Sequence, residues 1–199
     1  FKVGKFIQLL MLDTRQFQRA QQIQPQNYLT KSGFNQASFY SDLNATHRNL
    51  LGAEQLGWIK EKINSESFDW TILGQQVLMT KLKFPDLTKM LKEEDIPEFL
   101  KPYLKFLGLG IPSNLDAWDG YPADRNKLYD VMKKANKSFI SLAGDTHNAW
   151  VSELTDAQGD KIGIELGAPS VSSPGITDAI KLDKTKFATE IVKMNSELN

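Results

Sequence analysis

The chain has 199 residues, 41% of them apolar and 24% charged, with 24 Lys and Arg balanced by 24 Asp and Glu. That length carries one well-packed domain, and that composition excludes a disordered chain, a collagen-like repeat and a membrane span. Zero formal charge supplies no global field for nucleic acid or an anionic membrane, and the lack of cysteine excludes disulfides and thiolate metal sites while leaving the compartment open.

The opening Phe1-Lys2-Val3-Gly4-Lys5-Phe6-Ile7 is not a charged-then-apolar leader, so we expect the sequence to start inside a longer protein, with any export signal upstream. Phe6-Ile7-Gln8-Leu9-Leu10-Met11-Leu12 is a nearly unbroken apolar run, which predicts a strand buried on both faces and ending in Asp13-Thr14-Arg15. From Gln16 to Phe39 the chain is rich in Gln, Asn and Ser without a sustained period, an irregular excursion of a length that commonly carries function. His47 has no second donor at metal-ligand spacing and belongs to a surface loop. Between Leu51 and Ile63 the positions Leu56, Ile59 and Ile63 recur at helical spacing. Asp69 to Leu82 reads as a second strand, with Trp70, Ile72 and Leu73 leading into Gln75-Gln76-Val77-Leu78-Met79.

Residues 85 to 112, punctuated by Pro97 and Pro102, read as short helices in an insertion. Pro122 suits the first position of a helix that buries Leu128, Val131, Met132 and Ala135. A short buried strand follows over 138–143, a hairpin turn at Gly159-Asp160, and another strand over 161–166. Pro174 after Ser173 offers a capped helix start, and the lysine-rich stretches at 89–94 and 181–186 carry both signs, as solvated faces do. Alternating helix and strand make one α/β unit spanning 1–199.

Chemistry concentrates where Gly144 closes the 138–143 strand. In an extended chain positions i and i+2 point the same way, so Asp145 and His147 would converge on one divalent or trivalent cation at the strand's carboxyl end. Taken alone, Asp-x-His is more often a turn aspartate capping a helix beside an exposed histidine. Arg15 and Arg19 offer guanidinium forks that match phosphate oxygens, or else pair with Asp13 or another nearby acid. Arg125, in the first turn of its helix, would bind phosphate or orient Asp119 or Asp124. Trp118 and Tyr121 would wall a cleft or pack a core corner, and the Ser170–Gly175 loop would bind phosphate or cap a helix.

Read together, six segments occur in a familiar order: Asp13-Thr14-Arg15 with Arg19; Leu51 to Trp58; Trp70 to Val77; Trp118 to Arg125; Gly144-Asp145-Thr146-His147-Asn148-Ala149-Trp150; and Ser170 to Gly175. This succession resembles the carboxy-terminal half of PhoD-like phosphatases of the metallophosphoesterase superfamily. The resemblance implies part of a sandwich of two sheets flanked by helices, and a multinuclear centre with iron and calcium as the suggested ions. It also implies hydrolysis of phosphate mono- and diesters, with Asp145 and His147 as metal ligands and Asn148 and Trp150 just outside them; Arg15, Arg19 and Asn148 are the candidate substrate-binding residues. The family's upstream ligands, an earlier Gly-Asp pair and a Trp-Asp-Asp-His-Glu stretch, do not stand in this sequence. The expected partners are therefore a phosphate-ester substrate and the upstream half of the same polypeptide, and the expected location is periplasmic, secreted or at the cell surface. A different metallophosphoesterase such as a nucleotidase, and a noncatalytic binding or structural module, are the alternatives.

Overall fold

The computed structural model describes residues 1–199 except 93, 95, 97, 99, 100, 180, 181 and 199, so Pro97 and Lys181 lie outside the described residues. In chain order, strands β1 (Lys2–Val3) and β2 (Ile7–Met11) precede a long excursion. That excursion holds the small hairpin β3 (Leu29–Thr30) and β4 (Gly33–Phe34) and helix α1 (Gln36–Leu43), capped by the Asn35 side chain. Helix α2 (Gly52–Ser65), strand β5 (Trp70–Gly74) and helices α3 (Lys101–Leu107) and α4 (Pro122–Lys134) follow. Strands β6 (Phe139–Ala143), β7 (Trp150–Thr155) and β8 (Lys161–Gly167) and helices α5 (Ile176–Ala179) and α6 (Lys184–Met194) complete the chain.

The main sheet runs β1-β2-β5-β6-β8-β7, with β2, β5, β6 and β8 parallel and the flanking strands antiparallel. Parallel neighbours need crossovers, and α2 and α4 supply them between β2 and β5 and between β5 and β6. Both helices bury their apolar stripes on one face of the sheet: Ile59, Ile63, Leu128 and Met132 pack with Leu10, Leu73 and Phe139. Val131 and Ala135 border the same core, as their helical spacing predicts. The start of α2 is satisfied from α4, whose buried Asp124 accepts hydrogen bonds from Leu50 N (2.9 Å) and Leu51 N (2.8 Å). A second core forms where α6 places Phe187 and Ile191 against Leu78, Leu82 and Trp150.

Two expectations need correction. The second strand stops at Gly74; residues 75–82 form an ordered, largely buried loop, in which the backbone N–H groups of residues 79–82 find side-chain acceptors instead of a neighbouring strand. Nor is β2 covered on both faces. Gln8 and Leu10 are buried, but Met11 lies on the opposite face with Trp70, Leu142, Leu166 and Val151, and these five side chains are between 40% and 57% exposed. Met11, Gly74, Leu142, Leu166 and Val151 are successive partners across five strands, so the bare apolar face is continuous. Parallel sheets are ordinarily covered on both sides, and a patch of this kind marks an interaction surface. We expect these 199 residues alone to bind a hydrophobic dye and self-associate, and Leu142→Glu with Leu166→Lys to reverse both without loss of helix. Dye fluorescence and sedimentation would check this; unchanged self-association would show the face to be irrelevant.

Candidate functional site

Four parallel strands end at the same edge of the sheet, which gathers the loops after β2, β5, β6 and β8, the place where open α/β sheets collect ligands. The loop after β2 is fixed first. Gln76 Oε1 accepts hydrogen bonds from Thr14 N (2.9 Å) and Thr14 Oγ1 (2.7 Å), while its amide donates to Leu12 O (2.9 Å). Gln55 of α2 holds Asp13 N and Asp13 O. Asp13 accepts from Gln16 N and Arg15 N, each at 2.9 Å, and these backbone donors hold its carboxyl below the usual range. The excursion is then pinned to α2 by Gln18, whose side chain lies where a Cβ on Gly52 would stand, 2.1 Å from Gln18 Oε1.

From this frame Arg15 reaches two acids. Its Nη1 donates to Asp116 Oδ2 and its Nη2 to Asp145 Oδ1 at 2.9 Å. Arg19 Nη2 donates to the other oxygen of Asp116 and to Asp116 O (2.7 Å), with its guanidinium 5.3 Å from the centre of the Tyr121 ring. Arg48 lies 5.0 Å from the same ring. The hydrogen bond of Arg15 with Asp116, above all, raises the Arg15 pKa. Burial pushes the Asp116 carboxyl up, but Arg19 and Arg15 outweigh it and hold the group below its ordinary value.

The Gly144–Ala149 segment is a bend, which corrects the extended geometry expected of Asp145 and His147. Both residues have left-handed backbone, with φ of 73° and 59°. Non-glycine residues in that region cost of order 1–3 kcal/mol each, and such strain clusters at functional sites. Thr146 anchors the bend by accepting from Trp150 Nε1 at 2.7 Å. The loop after β8 packs against it: His147 Nδ1 lies 3.4 Å from Pro174 O, and a Cβ on Gly175 would sit 2.1 Å from Asn148 Oδ1, so only glycine admits this approach. Ser170 caps its own turn, accepting from Ser172 N and Ser173 N, rather than a helix. A cavity of about 400 Å³ opens beside His147 and Asn148, over Trp150, Phe187 and Ile191. A separate one of about 470 Å³, between Gln22, Gln24 and the aromatic side of α3, is lined by none of the candidate residues.

The structure thus brings Arg15 and Arg19 together through Asp116 and Asp145 to them through Arg15, and sets His147 and Asn148 on the adjoining turn. Trp118 and Tyr121 are fully buried corner residues, and Arg125 pairs with Asp119 at 2.9 Å in the interior. His47 is exposed. Asp116 escapes the sequence because its partners stand 97 and 101 residues away; its only local signal is an acid just ahead of Ala117-Trp118-Asp119. Among the described residues no three His, Asp or Glu side chains come together to hold a metal ion, and Asp145 already faces a guanidinium. The donors present therefore do not by themselves fit a metal centre.

A family model described as PhoD-like phosphatase matches residues 1–199. Alkaline phosphatase D of Bacillus subtilis (strain 168) is 26% identical over 203 residues, a match covering 100% of this chain and 29% of that protein. A solved structure described as "Structure of PhoD" superposes with a TM-score of 0.68 at 23% identity, over 100% of this chain and 33% of its own, and shows the shared fold. The chain spans about a third of the length of these relatives.

Proposed function

Because the chain belongs to the PhoD-like phosphatase family, we propose that the protein hydrolyses phosphate mono- and diesters and that these residues form one wall of its site. The observation that carries the reading is the contact of Arg15 with Asp145 at 2.9 Å, which joins the β2 loop to a strained turn at the carboxyl edge of the sheet. Arg15 and Arg19 meet the phosphoryl oxygens through charge-assisted hydrogen bonds, and Asn148 orients the ester from the neighbouring turn. Asp145 and His147 are the two donors offered to metal, for which iron and calcium are the ions the family resemblance suggests; the remaining donors come from outside these residues. Were such ions held there, Asp145 and His147 would be two of their ligands, and the chemistry supplied would be polarisation of phosphoryl oxygens and activation of water.

The partner that completes the site is the rest of the same polypeptide, and the bare apolar face from Met11 to Val151 is where its second layer packs. Among the described residues no helix is long and apolar enough to cross a membrane. The family resemblance favours an exported, periplasmic or cell-surface location.

The test is elemental analysis of the intact protein, with hydrolysis of an aryl phosphate monoester and diester, for the unaltered form and for Asp145→Ala and His147→Ala. Bound metal is expected, with turnover falling in each variant by more than the ~10–100-fold that follows loss of an outer partner of a metal ligand. An intact protein that hydrolyses neither ester with iron and calcium supplied overturns the reading and leaves a binding module.

A further inference from the structure

We propose that Asp116 decides which charge state of a phosphate the site accepts, favouring the singly charged diester over the doubly charged monoester. The proposal rests on the phosphoesterase reading above. Its basis is that Asp116 gives one carboxylate oxygen to Arg15 and the other to Arg19, while Arg15 spends its second Nη on Asp145. The four side chains sum to zero formal charge, and Arg15 already gives one N–H of each Nη to a carboxylate.

Asp116 is also held in place. Its N–H donates to Asn114 Oδ1 at 3.0 Å, its carbonyl accepts from Arg19 at 2.7 Å, and the next two residues, Ala117 and Trp118, are buried. Arg19 is held over the Tyr121 ring, so neither member of the pair swings away freely. A ligand arriving beside Arg15 consequently meets Asp116 as a fixed negative charge. For a fixed unit charge one side chain away, where Arg15 and Asp116 are 33% and 31% exposed, the penalty on the second negative charge of a monoester is on the order of tenfold in affinity. Other charges at the centre, metal included, act equally on the unaltered protein and on a variant, and cancel in the comparison.

The experiment is calorimetric binding of inorganic phosphate, at alkaline pH where it is dianionic, and of dimethyl phosphate, a monoanion, to the intact protein and to Asp116→Asn and Asp116→Glu. In Asp116→Asn the affinity for phosphate relative to dimethyl phosphate is expected to rise about tenfold, and Asp116→Glu is expected to keep the original ratio. Asp116→Ser carries the same comparison if asparagine prevents folding. A ratio that does not move, with both anions weakening together, or an unaltered protein that binds neither anion, overturns the proposal. Ester turnover is measured alongside. A moved ratio without turnover sinks the phosphoesterase reading while the charge selection stands; turnover with an unmoved ratio sinks the selection alone.

Discussion

Asp119→Ala is expected to lower stability by about 3–5 kcal/mol, the cost of leaving a buried charge without its partner. Asp119 sits in the turn Trp118–Gly120 with both carboxylate oxygens engaged: Oδ1 accepts from Arg125 Nη1 at 2.9 Å and Oδ2 from Leu82 N at 2.8 Å. Burial raises its carboxyl above the ordinary value even against the pull of Arg125. On the arginine, burial acts to lower the pKa and Asp119 more than offsets it, so the guanidinium keeps its proton. The same Nη1 also donates to Met79 O at 2.9 Å, while Arg125 Nε is buried without a partner among the described residues. Truncating Asp119 therefore strands both a guanidinium and the Leu82 amide. Arg125→Met added to Asp119→Ala should recover much of the loss, because the pair is then replaced by apolar volume rather than broken. Urea midpoints of the two single variants and the double variant give the coupling; strictly additive losses would show that the ion pair contributes nothing.

This pair also shows where the sequence was legible. Strands and helices with a clear period were readable from residues alone: Ile7–Met11, Phe139–Ala143 and Lys161–Gly167 as strands, Gly52–Ser65 and Pro122–Lys134 as helices. The hairpin at Gly159-Asp160 was readable too, and Asp156 fixes it by accepting from Gln158 N and Asp160 N. Helices α1 and α6 and strand β7 were not foreseen. Helix α1 packs only Phe39 and Leu43 into the core within a polar stretch, and β7 takes its order from antiparallel pairing with β8 rather than from a run of its own. Val77 and Met79 look like strand residues because they are buried, yet burial is reached here through a loop, which apolar composition does not distinguish.

At the site, the Asp145 and His147 residue types were legible, while their geometry was not. The positive φ values come from tertiary packing: Gly175 against Asn148, Thr146 under Trp150. Arg15 and Arg19 were readable as either phosphate ligands or ion-pair partners, and local sequence holds nothing that places Asp116 between them. The structure shows the ion pairs directly, with Asp116 shared between Arg15 and Arg19 and Asp145 paired with Arg15.

Glu165 is tied to the loop after β5, and its contribution to stability depends on pH. It is buried in β8 and accepts from Met79 N (2.8 Å), Thr80 N (2.8 Å) and Ser141 Oγ (2.9 Å), standing in for a strand partner at Met79 and Thr80. Burial pushes its carboxyl up to about 7 from 4.5, against the hydrogen bonds that pull it back. A group whose folded value is raised binds its proton more tightly when folded. Its contribution is thus fully present below about pH 4.5 and is lost as pH rises through about 7. At 1.36 kcal/mol per pH unit the swing is roughly 3 kcal/mol. Glu165→Gln is neutral throughout, so the stability of the unaltered chain relative to this variant should fall by about that amount between pH 4.5 and pH 8; urea midpoints at three pH values would show it, and a flat difference would sink the idea. The consequence reaches the site through Gln75, which donates to Ser141 Oγ and accepts from Trp118 Nε1, and through Gln76, which fixes Thr14 ahead of Arg15. Glu165→Ala, which removes the acceptors altogether, is accordingly expected to loosen Arg15 as well as the core.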